Sequence, residues 1–327
     1  MEKVFFERMC AALQMGSLTE EPQQLSGGLL HKMYSVFTEK GKYAVKLLNP
    51  FVMQREAAMA NFRAAESLEN ILEKNELPIL PALSFDGKKM QSMDGQYFYV
   101  FEWFRGRALK PEEIGEKHVR KIGRTLAQIH KLQKCETCTP PDILQTDWAS
   151  YTEQLLKAEA PLGHLLEENL SFLAERQNAA NAALRKRMPV LSICHNDMDP
   201  KNVLWYGDEL CIIDLECLSY ADAQVELAET ALCWSGLDAC KINVSLFTAF
   251  AAAYRDAGGA VPEDWNILFD LNCGRLHWLE YCVQRAIGIN CSEEEQILGK
   301  QGIPQTLSQL HCVENVREEI LSMLSEI

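Results

Sequence analysis

The sequence lacks the features of a membrane-spanning, secreted or nucleic-acid-binding protein. No stretch approaches the ~18 consecutive apolar residues of a membrane-spanning helix. The first residues contain no apolar core of the length a secretory signal needs, because Glu7 and Arg8 interrupt them. Positive charge is also scarce, since 32 Lys and Arg stand against 46 Asp and Glu and the formal net charge is −14. Phosphate backbones select basic faces, so nucleic acid is not an expected partner. The lack of an apolar span makes a membrane an unexpected partner too.

Cysteine patterns that would bind a metal are scarce as well, although the chain has 12 cysteines. Cys135 and Cys138 form its one C-x-x-C, and no second pair or histidine motif accompanies them. Without a secretory signal, we expect the thiols to be reduced and to serve mostly as small core residues. The cytoplasm is therefore the expected location.

The pattern of apolar residues changes character once along the chain of 327 residues. Residues 23–104 alternate short extended runs with turn residues around one amphipathic helix, predicted over residues 54–74. From residue 111 onward the pattern is mostly helical, with a strand-rich island over residues 189–216 and helix breaks at Gly258-Gly259, Gly288 and Pro304. This length is sufficient for two lobes around a cleft.

We therefore predict an α+β fold with two lobes. The amino-terminal lobe, residues 1–104, is expected to be a small antiparallel sheet with one main helix. The carboxy-terminal lobe, residues 105–327, is expected to be larger and mostly helical.

The strand-rich island contains the densest group of polar residues. His195, Asp197 and Asn202 fit the pattern H-x-D-x-x-x-x-N, and Asp214 follows a predicted hairpin. Asp197 can accept a proton from a hydroxyl group, whereas Asn202 and Asp214 offer the hard oxygen ligands that Mg²⁺ prefers. His195 is expected to brace the loop. This order is that of a kinase catalytic loop followed by a metal-binding strand.

An upstream lysine completes the pattern. Lys46, in the run YAVK, matches the strand lysine that contacts nucleotide phosphates, and such a lysine needs a carboxylate on the following helix. Glu66 flanks the apolar face of that helix and is the predicted partner. Glu69, nearer the centre of the face, is the alternative.

Three features of protein kinases are missing. The expected phosphate loop begins Ser26-Gly27-Gly28 and lacks G-x-G-x-x-G, so backbone amides and Ser26 must cover the phosphates. The metal motif is Asp-Leu-Glu, without the glycine of a mobile switch. No A-P-E follows Glu216, so the chain has no activation segment to hold a peptide. A small-molecule acceptor is therefore favoured over a protein.

These motifs resemble those of the aminoglycoside phosphotransferase-like kinases, whose relatives include choline, homoserine-type and fructosamine kinases. HNDMDPKNVLW, IIDLE and YAVKLL carry the resemblance, which spans residues 23–285. It implies that Asp197 is the catalytic base, that Asn202 and Asp214 bind Mg²⁺, and that Lys46 binds the phosphates of ATP or GTP. It also implies a hinge that bonds the purine, formed by Phe101, Glu102 and Trp103.

In such kinases the acceptor lies against the helical lobe. The candidates here are Glu216, Asp222, Glu226, Trp278, Glu280 and Arg285. Glu226 could instead be a structural carboxylate that bonds the catalytic loop. Glu280 beside aromatic residues suits an amine-bearing acceptor, although a solvated helix face explains each candidate equally well. The acceptor could be an aminoglycoside, or a metabolic amino alcohol, amino acid or sugar. A pseudokinase is disfavoured, because the base, the lysine and the metal ligands are all present. The oligomeric state stays open.

Overall fold

The computed structural model describes residues 2–25, 30–135 and 143–325. By its contacts the chain divides into two compact units. The first unit contains Met1–Ala108 and Val203–Glu216, and the second contains Leu109–Asn202 and Cys217–Ile327. The lobe boundary after residue 104 stays a prediction, since the contacts break after Ala108 and group part of the strand-rich island with the first unit.

Two antiparallel sheets form the first unit. The larger has the order β1-β2-β3-β5-β4, with β1 Gln23–Leu25, β2 Lys32–Thr38, β3 Gly41–Leu47, β4 Gln91–Met93 and β5 Gln96–Glu102. The smaller has the order β6-β8-β9, with β6 Arg107–Ala108, β8 Val203–Tyr206 and β9 Glu209–Ile212. In the larger sheet Lys46 lies opposite Met33 and Tyr99, so it belongs to the central strand.

Among the described residues of this unit, three helices accompany these sheets: α1 Glu2–Ala12, α2 Pro50–Met53 and α3 Ala58–Lys74. The main helix, predicted from residue 54, begins at Ala58, because Asn49 and Pro50 start a separate short helix first. The asparagine side chain caps that helix by accepting from the backbone N–H of Phe51. The apolar spacing of α3 places Phe62 and Leu72 in the interior, as predicted.

The second unit is mostly helical. Its helices are α4 Glu116–Leu132, α5 Trp148–Ala158, α6 Ala160–Glu168, α7 Leu170–Lys186, α8 Ala223–Trp234, α9 Val244–Asp256, α10 Trp265–Asp270, α11 Arg275–Ala286 and α12 Glu293–Leu324. The strands β7 Leu191–Cys194 and β10 Ser219–Asp222 of this unit pair antiparallel. The described helices include none that is both long and apolar enough to cross a membrane.

The predicted helix break at Pro304 is wrong, because α12 runs through it for 32 residues. A proline inside a helix removes one backbone hydrogen bond. Here the neighbouring Ile303 and Leu307 are buried in the core, and Ser292 with Glu295 forms a capping box at the start of the helix. Packing and capping outweigh the cost of the proline. The predicted breaks at Gly258 and Gly288 are confirmed, and both residues have positive φ.

Candidate active site

Lys46 lies at the centre of a buried charge group in the first unit. Its Nζ donates to Asp214 Oδ1 at 2.6 Å and also to a carboxylate oxygen of Glu216. Burial alone would lower the pKa of this lysine, but the charges of Glu216 and Asp214 outweigh burial and raise it. The site therefore holds a fixed positive charge, which suits phosphate.

The expected pair between Lys46 and a carboxylate of α3 is not formed. Glu66 accepts from the Tyr99 hydroxyl at 2.8 Å and from the backbone N–H of Met90 at 3.1 Å. Glu69 accepts from Lys89 Nζ at 2.7 Å and from the backbone of Ala82 at 2.7 Å. Local donors thus occupy both helix carboxylates, and the segment after β9 supplies the partners of Lys46 instead. A role for Glu66 in nucleotide binding stays a prediction.

Asp214 and Glu216 follow directly after β9. The end of that strand is fixed, because the backbone of Ile212 bonds to Pro78 and Leu80. Asp214 has φ of 64°, in the left-handed region, and about a third of its side chain (35%) is exposed. A non-glycine residue held there is strained, which is common at functional sites. The arrangement presents a carboxylate oxygen to solvent beside a lysine.

A histidine that the sequence analysis did not select completes this group. His31 Nε2 lies 3.3 Å from Glu216 Oε1. Burial by itself would raise the pKa of Glu216, but the hydrogen bond from His31 and the charge of Lys46 hold it at about 2. Residues 26–29 of the predicted phosphate loop lie outside the described part of the chain, and His31 follows them by two residues. Its position next to that loop was the sequence signal that could have identified it. Ser26, Gly27 and Gly28 lie outside the described residues.

The predicted hinge continues the central sheet. Phe101 and Glu102 lie opposite Ala44 and Tyr43, and the backbone N–H of Trp103 donates to Lys42 at 3.0 Å. The purine contact of this stretch stays a prediction.

The catalytic loop lies in the second unit and folds around Asp197. Asn202 Nδ2 donates to Asp197 Oδ2 at 2.8 Å and to the Asp197 backbone carbonyl at 2.9 Å. Lys201 Nζ lies 3.4 Å from Asp197 Oδ1 and 3.3 Å from Asp199 Oδ2. About a third of the Asp197 side chain (33%) is exposed. The loop thus presents a carboxylate that Asn202 orients and that is partly exposed to solvent.

A buried set of hydrogen bonds, which we call the brace, connects Glu226, His130 and Tyr254 and supports the catalytic loop. Glu226, on α8, accepts from the backbone N–H of Asn196 and lies 2.7 Å from His130 Nε2. His130 Nδ1 in turn lies 2.8 Å from the Tyr254 hydroxyl. Burial favours the neutral acid, but His130 and the backbone bond outweigh it and lower the pKa of Glu226. Of the two roles that the sequence left open for Glu226, these contacts support the structural one, a carboxylate that bonds the catalytic loop.

His195, within the same loop, also supports it. It is fully buried, and its Nδ1 accepts from the backbone N–H of Asp197 at 3.2 Å. The prediction that it braces the loop is confirmed.

The remaining acceptor candidates fall into different surroundings. Asp222 caps α8 and pairs with Arg187, so its role is structural. Glu280 accepts from Thr146 at 2.8 Å and from Tyr151 at 3.3 Å. Trp278 and Arg285, also on α11, both contact Tyr281, through a ring stack with centroids 5.2 Å apart and through a guanidinium 4.8 Å from the ring centre. An acceptor contact by Trp278, Glu280 or Arg285 stays a prediction.

Two charged residues near the catalytic loop were missed. Glu229 lies three residues beyond Glu226 on α8, and Arg275 begins α11. Arg275 Nη1 lies 3.8 Å from Glu229 Oε1. The helical spacing of the two glutamates was visible in the sequence, but the long-range approach of the arginine was not.

Comparison with known proteins matches most of the chain to one family. Residues 21–268 match the model described as the phosphotransferase enzyme family. A homoserine kinase of Rhizobium meliloti is 24% identical over 208 residues, which are 62% of this chain and 59% of that protein. The match thus covers less than two thirds of that relative.

Solved structures show the same fold. A spectinomycin phosphotransferase bound to ADP and spectinomycin gives a TM-score of 0.70 at 14% identity, covering 94% of this chain and 98% of its own. An amicoumacin kinase bound to AMP-PNP and Ca²⁺ gives 0.63 at 13% identity, covering 92% of each chain. At such identities the likeness establishes the fold, and the predicted α+β, protein kinase-like class is confirmed.

Proposed function

Since the chain belongs to the phosphotransferase enzyme family, we propose that it is a small-molecule kinase. It transfers the γ-phosphoryl group of ATP or GTP to a hydroxyl group of a small, amine-bearing acceptor. The observation that carries the proposal is the catalytic loop, in which Asn202 orients the partly exposed carboxylate of Asp197. The kinase fold and the homoserine kinase relative support the same reaction class.

Asp197 is the general base of this reaction. Its carboxylate takes the proton of the acceptor hydroxyl as the hydroxyl oxygen bonds to the γ-phosphorus. The bond between that phosphorus and the bridging oxygen breaks, and the nucleoside diphosphate leaves. The hydrogen bond from Asn202 fixes the direction of the carboxylate, and Lys201 offsets part of its charge.

The charges of the first unit suit a magnesium nucleotide. Lys46 supplies a buried cation for the phosphates, and the carboxylate of Asp214 supplies a hard oxygen ligand. When bound, Mg²⁺ neutralises charge on the phosphates that would otherwise oppose attack. We propose Asn202 as the second protein ligand. It belongs to the other compact unit, so metal binding by the Asn202→Ala and Asp214→Ala variants tests the pair.

An acceptor panel tests the proposed function. The purified chain is incubated with Mg²⁺, ATP or GTP, and aminoglycosides, amino alcohols, hydroxy amino acids or sugars in turn. We expect one class to stimulate nucleotide consumption and Asp197→Asn to abolish the stimulation. Nucleotide binding without stimulation by any acceptor would favour a nucleotide-binding scaffold instead. The cytoplasmic location stays a prediction.

A further inference from the structure

Three side chains of types that bind metal ions lie together in the interior of the second unit. They are His130 on α4, Cys194 at the end of β7 and Glu226 on α8, and we call them the His130 triad. Two of them belong to the brace. The donor atoms of the triad all lie within 4.8 Å of one another. The side chains of His130 and Glu226 are 3% and 4% exposed, and Cys194 is fully buried.

The distances within the triad approach those of a tetrahedral zinc site. Zinc binds sulfur at about 2.3 Å and nitrogen or oxygen at about 2.0–2.2 Å, so neighbouring ligand atoms lie about 3.3–3.7 Å apart. His130 Nε2 lies 3.7 Å from Cys194 Sγ, which is already such a distance. It lies 2.7 Å from Glu226 Oε2, because a hydrogen bond joins the two atoms. These two atoms would separate by roughly 0.6 Å to admit an ion.

The groups that orient zinc ligands are also present. A histidine that binds zinc donates the proton of its other ring nitrogen to a nearby acceptor. His130 Nδ1 lies 2.8 Å from the Tyr254 hydroxyl, whose oxygen can accept that proton. The backbone N–H of Asn196 donates to Glu226 Oε1 and leaves Oε2 facing the histidine. The histidine and the carboxylate are therefore held in the orientation that an ion needs.

An ion would also balance the charge of this buried group. Burial and the charge of Glu226 raise the pKa of the Cys194 thiol, and its sulfur lies 3.5 Å from the Ala221 carbonyl oxygen, which accepts the thiol proton. A bound divalent ion replaces that proton, since a coordinating thiol is deprotonated outright. The thiolate and the carboxylate then carry two negative charges against the two positive charges of the ion. Buried charges that coordinate a metal avoid the cost of an unpaired buried charge.

We propose that the His130 triad is a zinc site. His130 Nε2, Cys194 Sγ and Glu226 Oε2 bind the ion, and a water takes the fourth position, as in other zinc sites with three protein ligands. A thiolate and an imidazole favour Zn²⁺ over Mg²⁺, which prefers oxygen ligands. Cys194 directly precedes the catalytic loop, so the ion joins α4 and α8 to the start of that loop. The inference does not depend on the proposed kinase function.

Metal analysis of the wild-type chain tests the site without any substitution. The chain is produced with added zinc, freed of any affinity tag and dialysed against metal-free buffer, because buried ligands admit an ion during folding. We expect about one zinc per chain and a lower melting temperature after the zinc is removed by a chelator. A chain that holds no zinc, or that melts at the same temperature with and without it, would overturn the proposal.

Cobalt identifies the ligands of the bound ion. Co²⁺ in place of zinc gives a thiolate-to-metal absorption band in the near ultraviolet. We expect the band in wild type and in Cys135→Ser, which removes the C-x-x-C alternative, and its loss in Cys194→Ser. Cys211→Ser, at another buried thiol, controls for the loss of a core cysteine. A band that persists in Cys194→Ser or disappears in Cys135→Ser would place the metal elsewhere and overturn the proposal.

Zinc titrations separate a ligand from an orienting residue. We expect Cys194→Ser to weaken Zn²⁺ binding by at least ~10²-fold. Tyr254→Phe removes only the hydroxyl that orients His130, so it should weaken binding about 10–100-fold. The Tyr254 variant retains all three ligands and tests the site even where the serine variant does not fold. Unchanged zinc affinity in either folded variant would overturn the proposed arrangement.

Discussion

At the scale of single residues, the contacts of Glu216 with Lys46 and His31 make the stability of the folded protein depend on pH in the acid range. Its folded pKa is about 2, below the ordinary value of 4.5. A lowered pKa contributes stability above the unfolded value, and that stability is lost as the pH falls from ~4.5 toward 2. The contribution is at most roughly 3 kcal/mol at neutral pH.

Glu216→Gln tests this contribution. Urea denaturation of wild type and variant should show a difference in the free energy of unfolding near pH 6 that shrinks as the pH approaches 2. An equal difference at both pH values would mean that the charge of Glu216 does not carry the effect.

The base assignment is also a claim about one residue. Asp197→Asn keeps the shape of the side chain and removes its ability to accept a proton. We expect kcat to fall by roughly 10²–10⁴-fold, the usual share of a positioned general base, with the Kd for nucleotide unchanged. Asp256→Asn, on the exposed end of α9, is the control. Normal turnover by the Asp197 variant would remove Asp197 from the mechanism.

At the scale of elements, α4 and α9 pack closely enough to need a glycine. A Cβ on Gly123 would lie 2.6 Å from the Phe250 carbonyl oxygen, whereas one on Gly115 would meet nothing within 4 Å. We expect Gly123→Ala to lower the free energy of unfolding by about 1–3 kcal/mol through overpacking. Gly115 is the N-cap residue of α4, and Gly115→Ala should cost less, about 0.5–1 kcal/mol, because alanine is the poorer cap. Denaturant titrations of both variants measure the contrast, and equal costs would argue against the close approach.

The brace between α8 and the catalytic loop is a second element-scale feature. Glu226→Ala removes the partner of buried His130 and of the Asn196 backbone, so we expect a loss of about 3–5 kcal/mol in the free energy of unfolding. Glu116→Ala breaks an exposed pair with Arg120 and should cost less than ~1 kcal/mol. A small loss in both variants would show that the brace adds little to stability.

Local sequence patterns predicted the helices and strands better than they predicted which side chains pair with each other. The spacing of Val119, Ile122 and Leu126 correctly placed the buried side of α4. The prediction that Pro304 breaks a helix was wrong, because the packing that keeps α12 continuous comes from residues distant in sequence. Asp197 and Asn202 were found together since they are five residues apart. Lys46 and Asp214 are 168 residues apart, so periodicity on α3 suggested a nearer carboxylate and the suggestion was wrong.

At the scale of the whole molecule, motif order carried more information than composition. The net charge of −14 did not identify the acceptor. The order of the predicted motifs, namely lysine, helix, hinge, catalytic loop and metal aspartate, indicated the fold that the comparisons confirm. The acceptor could not be read from those motifs, because the roles we propose for them are nucleotide binding and positioning of the base.

The most direct measurement follows the phosphoryl group itself. Nucleotide labelled at the γ-phosphate is incubated with Mg²⁺, the wild-type chain or Asp197→Asn, and the acceptor that most stimulates nucleotide consumption. The account predicts that label moves to the acceptor with wild type, that chelating the metal stops the transfer, and that the variant transfers at least ~10²-fold more slowly. Label released only as inorganic phosphate, or transferred equally by the variant, would contradict the claim that this chain is a small-molecule kinase with Asp197 as its base.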